Sequence, residues 1–168
     1  MSPSKKVALV TGSASGIGAT VAVALAKAGY DVIVNYSRSE ASARSTVQAC
    51  EAAGARTMLL QCDVSNEDSV KAMVAAIREQ YSHLDVVCSN AGVSIDTPPK
   101  KFDEIDVEDW DRVFAVNVRG LFLIAKATHE IHAEVEARDG EQSTKPTPSA
   151  FFWVIVQIII IDLVFSVD

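Results

Sequence analysis

The chain has 168 residues, 49% of them hydrophobic, and a formal net charge of −7. That is enough chain to bury one real core, and the acidic balance leaves no basic stripe to meet the phosphates of a nucleic acid. Its cysteines, Cys50, Cys62 and Cys88, are odd in number and lack C-x-x-C spacing, which argues against a disulfide framework or zinc site and for a reduced, cytoplasmic setting.

The first six residues are polar and contain no apolar stretch of a secretory signal. Residues 6–10 form an apolar run of strand length, entering Thr11-Gly12-Ser13-Ala14-Ser15-Gly16-Ile17-Gly18. Residues 19–28 then read as a helix rich in small apolar side chains and closed by Gly29. Between a buried strand and a helix N-terminus, a glycine-rich turn points backbone N–H groups outward where the helix dipole favours an anion, so it can hold a phosphate. Gly12 is expected to turn the chain sharply, while Gly16 and Gly18 admit a pyrophosphate and let the helix sit close to the sheet. The spacing is G-x-x-x-G-x-G rather than G-x-G-x-x-G, so the glycines alone also suit an ordinary turn; the flanking strand and helix favour the phosphate.

Residues 31–35 give a second buried strand, and residues 39–53 a helix with Gly54 at its C-terminal stop. A third strand covers residues 56–62, followed by Asp63 and Val64. Ser65-Asn66-Glu67-Asp68 has the form of a capping box and opens a third helix to about Tyr81. Residues 84–88 make the fourth strand. Apolar strands alternating with helices of this length imply right-handed βαβ units and a parallel sheet covered on both faces, a doubly wound α/β domain over residues 1–132. In such sheets ligands sit beyond the carboxyl ends of the strands. The segments arriving there are Gly12 to Gly18, with Ser13, Ser15, Gly16 and Ile17; Asn35 to Arg38, with Tyr36 and Ser37; Asp63-Val64; and Ser89-Asn90-Ala91-Gly92.

The acidic run from Asp103 to Asp109 suits the first turn of a helix over residues 107–138. Asn117 inside that helix is either an ordinary solvent-facing residue or a functional interruption. His129, His132 and Glu136 share a helix side, but without H-E-x-x-H spacing or a further ligand they read as a solvated face and not a metal site. Cys62 and Cys88 read as small core residues rather than nucleophiles.

Thr11-Gly12-x-x-x-Gly16-Ile17-Gly18, Asp63-Val64, Asn90-Ala91-Gly92 and Asn117 within Trp110-Asp111-Arg112-Val113-Phe114-Ala115-Val116-Asn117-Val118 together resemble the short-chain dehydrogenases/reductases over residues 5–132. The resemblance implies a Rossmann-type sheet and hydride transfer between a nicotinamide dinucleotide and a carbonyl or alcohol substrate. It also implies that Asp63 accepts a hydrogen bond from the adenine amino group, that Val64 contacts the ring, and that Asn90 to Gly92 support the nicotinamide-side ribose. Asn117 would hold a water in the proton relay. Leu121, Phe122, Ile124 and Ala125 would face the sheet and a subunit interface, giving a homo- or hetero-oligomer through the helix over residues 107–138.

Charge orders the cofactors. An acid at the end of the second strand would bind a ribose 2′-hydroxyl and repel a 2′-phosphate. Asn35-Tyr36-Ser37-Arg38-Ser39 has none, and Arg38 can pair with a phosphate, so NADP is expected ahead of NAD unless Arg38 is merely a solvated residue of the next helix.

Family members carry, after a fifth strand bearing a Ser, a Tyr-x-x-x-Lys pair in which the Tyr is the general acid/base and the Lys lowers its pKa. Here Tyr30, Tyr36 and Tyr81 all precede Asn117, and the residues four further on are Val34, Glu40 and Asp85. Ser143, Ser149 and Ser166 stand in no matching context. The sheet is therefore expected to be incomplete in its C-terminal half, and the chain to bind a dinucleotide with little or no turnover. The alternatives are a non-catalytic binding or hetero-oligomerising module, or an unstable truncated product.

Residues 133–150 read as a polar linker and residues 151–168 as an apolar tail. The tail could be a membrane anchor of roughly 27 Å if helical, interrupted by Gln157 and Asp162. It could be a substitute fifth strand over residues 158–165. It could be sequence translated from an unremoved intron or shifted frame, the favoured origin. A membrane anchor is the least favoured of the three.

Overall fold

A computed structural model describes residues 5–95 and 102–139, so the apolar tail and all of the linker beyond residue 139 lie outside the described residues. Four parallel strands, β1 (Val7–Val10), β2 (Asp31–Tyr36), β3 (Thr57–Gln61) and β4 (Val86–Cys88), form one sheet in the order β3-β2-β1-β4. Every residue of β1 and β2 is buried, the condition that continuous apolar runs foretell. Their side chains alternate between two cores. Val7, Leu9 and Ile33 pack with Val70, Met73, Val74 and Ile77 of α3 (Glu67–Gln80). Val10, Val32 and Val34 pack on the other face with Ala22 and Ala26 of α1 (Gly16–Lys27) and with Ala43 and Cys50 of α2 (Glu40–Ala52). Each fully buried Leu or Ile contributes roughly 1.5–3 kcal/mol.

The expected doubly wound sheet is therefore present, and its crossovers change direction between β1 and β4. Gly29 and Gly54 end α1 and α2 at φ 92° and 89°, where a side chain would be strained.

Two local expectations change. The N-cap of α3 is Asn66, whose side chain accepts from the Ser69 amide at 2.9 Å. The Ser65 side chain instead points back to Asp63, its N–H and hydroxyl both donating to Asp63 Oδ1 at 2.9 and 2.7 Å. The helix expected over residues 107–138 is also divided. It comprises α4 (Val107–Phe114), a π-helical turn (Ala115–Gly120) and α5 (Leu121–Asp139). Leu123 and Ile124 enter the core, whereas Phe122 is 60% exposed rather than facing the sheet. The turn shifts which side of the helix meets the sheet, so Phe122 falls on a line with exposed Val107, Trp110, Phe114 and Val118.

At the amino edge of the sheet Asp31 is fully buried. It accepts from the Arg56 amide (3.1 Å) and side chain (2.6 Å), and pairs with Lys5 at 3.4 Å. Burial pushes its carboxyl up, but these hydrogen bonds and the Arg56 charge outweigh it and hold the pKa below the ordinary carboxylate value.

Candidate functional site

At the opposite edge, the turn after β1 is fastened from two sides. Gly12, at φ 62°, donates its N–H to Asn35 Oδ1 at 3.0 Å. Asn90 Nδ2 donates to the carbonyls of Thr11 (3.0 Å) and Gly12 (3.2 Å). The Asn90 and Ala91 amides donate to Thr11 Oγ1, at 2.9 and 3.0 Å. This packing leaves no room for side chains: a Cβ on Gly12 would stand 2.8 Å from Ala91 Cα, and one on Gly18 would strike Asn90 Nδ2 and the Gly12 carbonyl. Gly16 differs, since nothing lies within 4 Å of its absent Cβ, and its φ of 58° is what calls for glycine. Ser15, the N-cap of α1, makes no side-chain capping bond, and Ser15, Gly16 and Ile17 are exposed. The first-turn amides thus keep their affinity for an anion, in a cradle with open space over Gly16.

This turn floors a crevice of about 810 Å³. Gly12, Ser15, Ile17 and Gly18 line it from the turn, and Ser37 and Arg38 from the end of β2. Asp63 and Val64 line it from the end of β3, and Asn90, Ala91 and Gly92 from the end of β4. All four expected segments meet there. Ser13 and Tyr36 do not present side chains to it. The buried Ser13 hydroxyl donates to the Val10 carbonyl (2.7 Å) and accepts from the Asn35 amide (3.0 Å), joining β1 to β2. Tyr36 is the last residue of β2 and packs in the core against α1 and α2.

Asn117 lies in the π-helical turn, and its side-chain amide is matched to one peptide group. Oδ1 accepts from the Val93 N–H at 2.9 Å, and Nδ2 donates to the Val93 carbonyl at 3.0 Å. These two hydrogen bonds fix the segment that follows Gly92. The interruption itself is real, as the resemblance implied.

Asn35 was expected at the site as the first residue of its strand-end segment, without a role of its own, and other residues that position the site were not expected there. Asn35, 1% exposed, donates its Nδ2 to the carbonyls of Leu60 (3.3 Å) and Cys62 (3.2 Å) while its Oδ1 holds Gly12. A polar residue closing the apolar run Val32-Ile33-Val34 was the available signal. Thr11 serves Asn90 and Ala91, and Arg112 lines the crevice beside its partner Asp109 at 3.3 Å. Gly120 fits beneath Val64, where a Cβ would come 2.8 Å from Val64 Cγ2. No sequence pattern marked these contacts.

Burial pushes the thiols of Cys62 and Cys88 up, away from the reactive thiolate, in keeping with small core residues. Among the described residues no three His, Cys, Asp or Glu side chains gather as a metal site; those of His132 and Glu136 lie outside them. No described helix is long and apolar enough to cross a membrane. A second hollow of about 610 Å³ separates α1 from α2, but the hydroxyls of Thr20, Ser45 and Thr46 along it bond to nearby backbone carbonyls.

Residues 6–140 match the family model described as short chain dehydrogenase. A hydroxynaphthalene reductase-like protein of Metarhizium guizhouense is 39% identical over 135 residues, covering 80% of this chain and 48% of the relative. Versicolorin reductase 1 of Dothistroma septosporum is 41% identical over 133 residues, covering 79% and 49%. The chain thus spans about half the length of the curated relatives it matches. A solved short-chain dehydrogenase/reductase structure from Burkholderia xenovorans superposes with a TM-score of 0.74 at 31% identity, over 78% of this chain and 54% of that one.

Proposed function

The chain belongs to the short-chain dehydrogenase family, and on that premise we propose that its crevice binds NADP(H) for hydride exchange with a carbonyl or alcohol substrate. The observation that carries the reading is the meeting of four strand-end segments around one open, glycine-floored anion cradle, with exposed Arg38 on its wall. When bound, the dinucleotide supplies or accepts the hydride. The residues of this chain hold it: the α1 amides at the pyrophosphate, Arg38 at the 2′-phosphate, Asp63 and Val64 at the adenine, and Asn90 to Gly92 at the nicotinamide-side ribose. Asn117 keeps the Gly92 to Val93 segment in place. Reduction is the direction proposed, as the names of both fungal relatives suggest. No Tyr-x-x-x-Lys follows Asn117 in these 168 residues, so the polypeptide is expected to bind the dinucleotide with little or no turnover. Its three free thiols suit a cytoplasmic, reducing setting.

Calorimetric titration tests the cofactor. The wild-type chain should bind NADPH more tightly than NADH, and Arg38→Gln should weaken NADPH by roughly tenfold while leaving NADH unchanged, the loss of one charge-assisted phosphate contact. Equal affinities in the wild type, or a variant indistinguishable from it, would remove Arg38 from the argument. Reduction of a carbonyl panel at ordinary rates by the purified chain would overturn the expectation of low turnover.

A second reading has its own observation. Val107, Trp110, Phe114, Val118 and Phe122 make an exposed apolar line, with Trp110 and Phe114 stacked at 4.4 Å. Such a line favours a contact with a second copy of the chain, or, as a hetero-oligomerising module, with the matching helix of a longer relative. Trp110→Glu should then shift the mass seen by light scattering to that of a monomer.

A further inference from the structure

The π-helical turn touches both ends of the crevice. At one end Asn117 holds Val93. At the other, Arg119 reaches across 54 positions of sequence and donates from Nη2 to the Ser65 carbonyl at 2.9 Å. Ser65 is in turn the residue that sets Asp63: its N–H and hydroxyl both donate to Asp63 Oδ1. Between them Val64 rests on Gly120, the neighbour of Arg119, in a gap too small for a side chain. We propose that Arg119 is a positioning residue for the adenosine half of the dinucleotide, fixing Ser65 and, through it, the Asp63 carboxylate and Val64 at that end of the crevice.

The inference rests on the dinucleotide reading above and adds a residue to it. The physical case is the chain of bonds. Without Arg119 the Ser65 carbonyl loses a charged donor, and between the anchored Cys62 and Asn66 the stretch Asp63 to Ser65 keeps, among the described residues, its own turn and the hydrogen bond from the Asp63 amide to the Ser69 hydroxyl at 3.1 Å. A looser Asp63 must then be ordered when ligand binds, which subtracts from affinity. Lys126 supplies an internal comparison. It pairs with Glu67 at 3.6 Å across the same seam but touches neither Ser65 nor Asp63.

The test uses the full chain and two probes, NADPH and adenosine 2′,5′-bisphosphate, titrated by calorimetry. Arg119→Met should weaken both by the same factor, roughly fivefold, the scale of one charged hydrogen bond shared with solvent. Arg119→Lys, which keeps a charged donor, should recover part of the loss, and Lys126→Met should change neither probe. Hydrogen exchange of the Val64 and Ser65 amides should quicken in Arg119→Met while that of Val93 stays as in the wild type. If Arg119→Met weakens NADPH alone, or neither probe, or if Lys126→Met matches it, the inference is overturned. If the wild type binds neither probe, the dinucleotide reading fails first and takes this inference with it.

Discussion

The two ends of β2 carry the two most telling buried polar side chains of the protein, and they are built on opposite principles. Asp31 at the amino end is charged and closed off by charged partners, Lys5 and Arg56, so it joins the starts of β2 and β3 and asks nothing of a ligand. Asn35 at the carboxyl end is neutral and bonds only to backbone: the Gly12 amide on one side, the Leu60 and Cys62 carbonyls on the other. A neutral amide can both accept and donate there, and it brings no negative charge near the proposed anion cradle. The same strand thus fastens the fold with charge at one edge and braces the turn at the crevice without charge at the other.

Breaking the amino end should have the largest effect and leave the crevice alone. Asp31→Ala strands the Arg56 amide and a buried cavity, and it should cost about 3 kcal/mol in urea unfolding. NADPH affinity per folded molecule should stay within twofold of the wild type. A matching loss of affinity would mean that the two edges are not separate.

Sharpening the comparison at the carboxyl end takes one atom. Asn35→Asp keeps the shape but removes both Nδ2 donors, so a carboxylate would face the Leu60 and Cys62 carbonyls. It should cost about 2 kcal/mol in stability and, unlike Asp31→Ala, weaken NADPH by roughly tenfold. Stability loss with unchanged affinity would show that Asn35 serves the fold alone.

The smallest effect is a pH dependence confined to the amino end. The Asp31 carboxyl titrates lower in the folded than in the unfolded chain. Its contribution is therefore complete above the unfolded value of about 4 and is lost as pH falls through the folded one. The gap in unfolding free energy between wild type and Asp31→Asn should narrow from pH 7 toward pH 3. A gap that stays constant would mean that the carboxyl is not held down by Arg56 and Lys5.

Much of this fold was legible in residue order because parallel strands covered on both faces must be apolar throughout, as Val7–Val10 is, and because Gly12, Gly16, Gly29 and Gly54 stand where φ is positive. The capping box was not legible. Ser65 and Asn66 can both cap a helix, and in the fold Asn66 does so while the Ser65 side chain is turned back to Asp63. The split helix was half legible: Asn117 marked the interruption through the family pattern, but a π-helical turn leaves no periodicity of its own in six residues, and so Phe122, expected to face both the sheet and a subunit interface, does not face the sheet.

The sequence by itself determined the order of strands and helices, the glycine-rich turn and the family, because those depend on local conformational preference and on which stretches avoid water. Only the tertiary structure decided what each polar side chain at the crevice does. Ser13 and Tyr36 were turned inward, Asn35 became the brace of the turn, Asn117 took hold of Val93, and Arg119 met Ser65. A hydrogen bond depends on distance and direction between groups far apart in the chain, and no local pattern of residues encodes either.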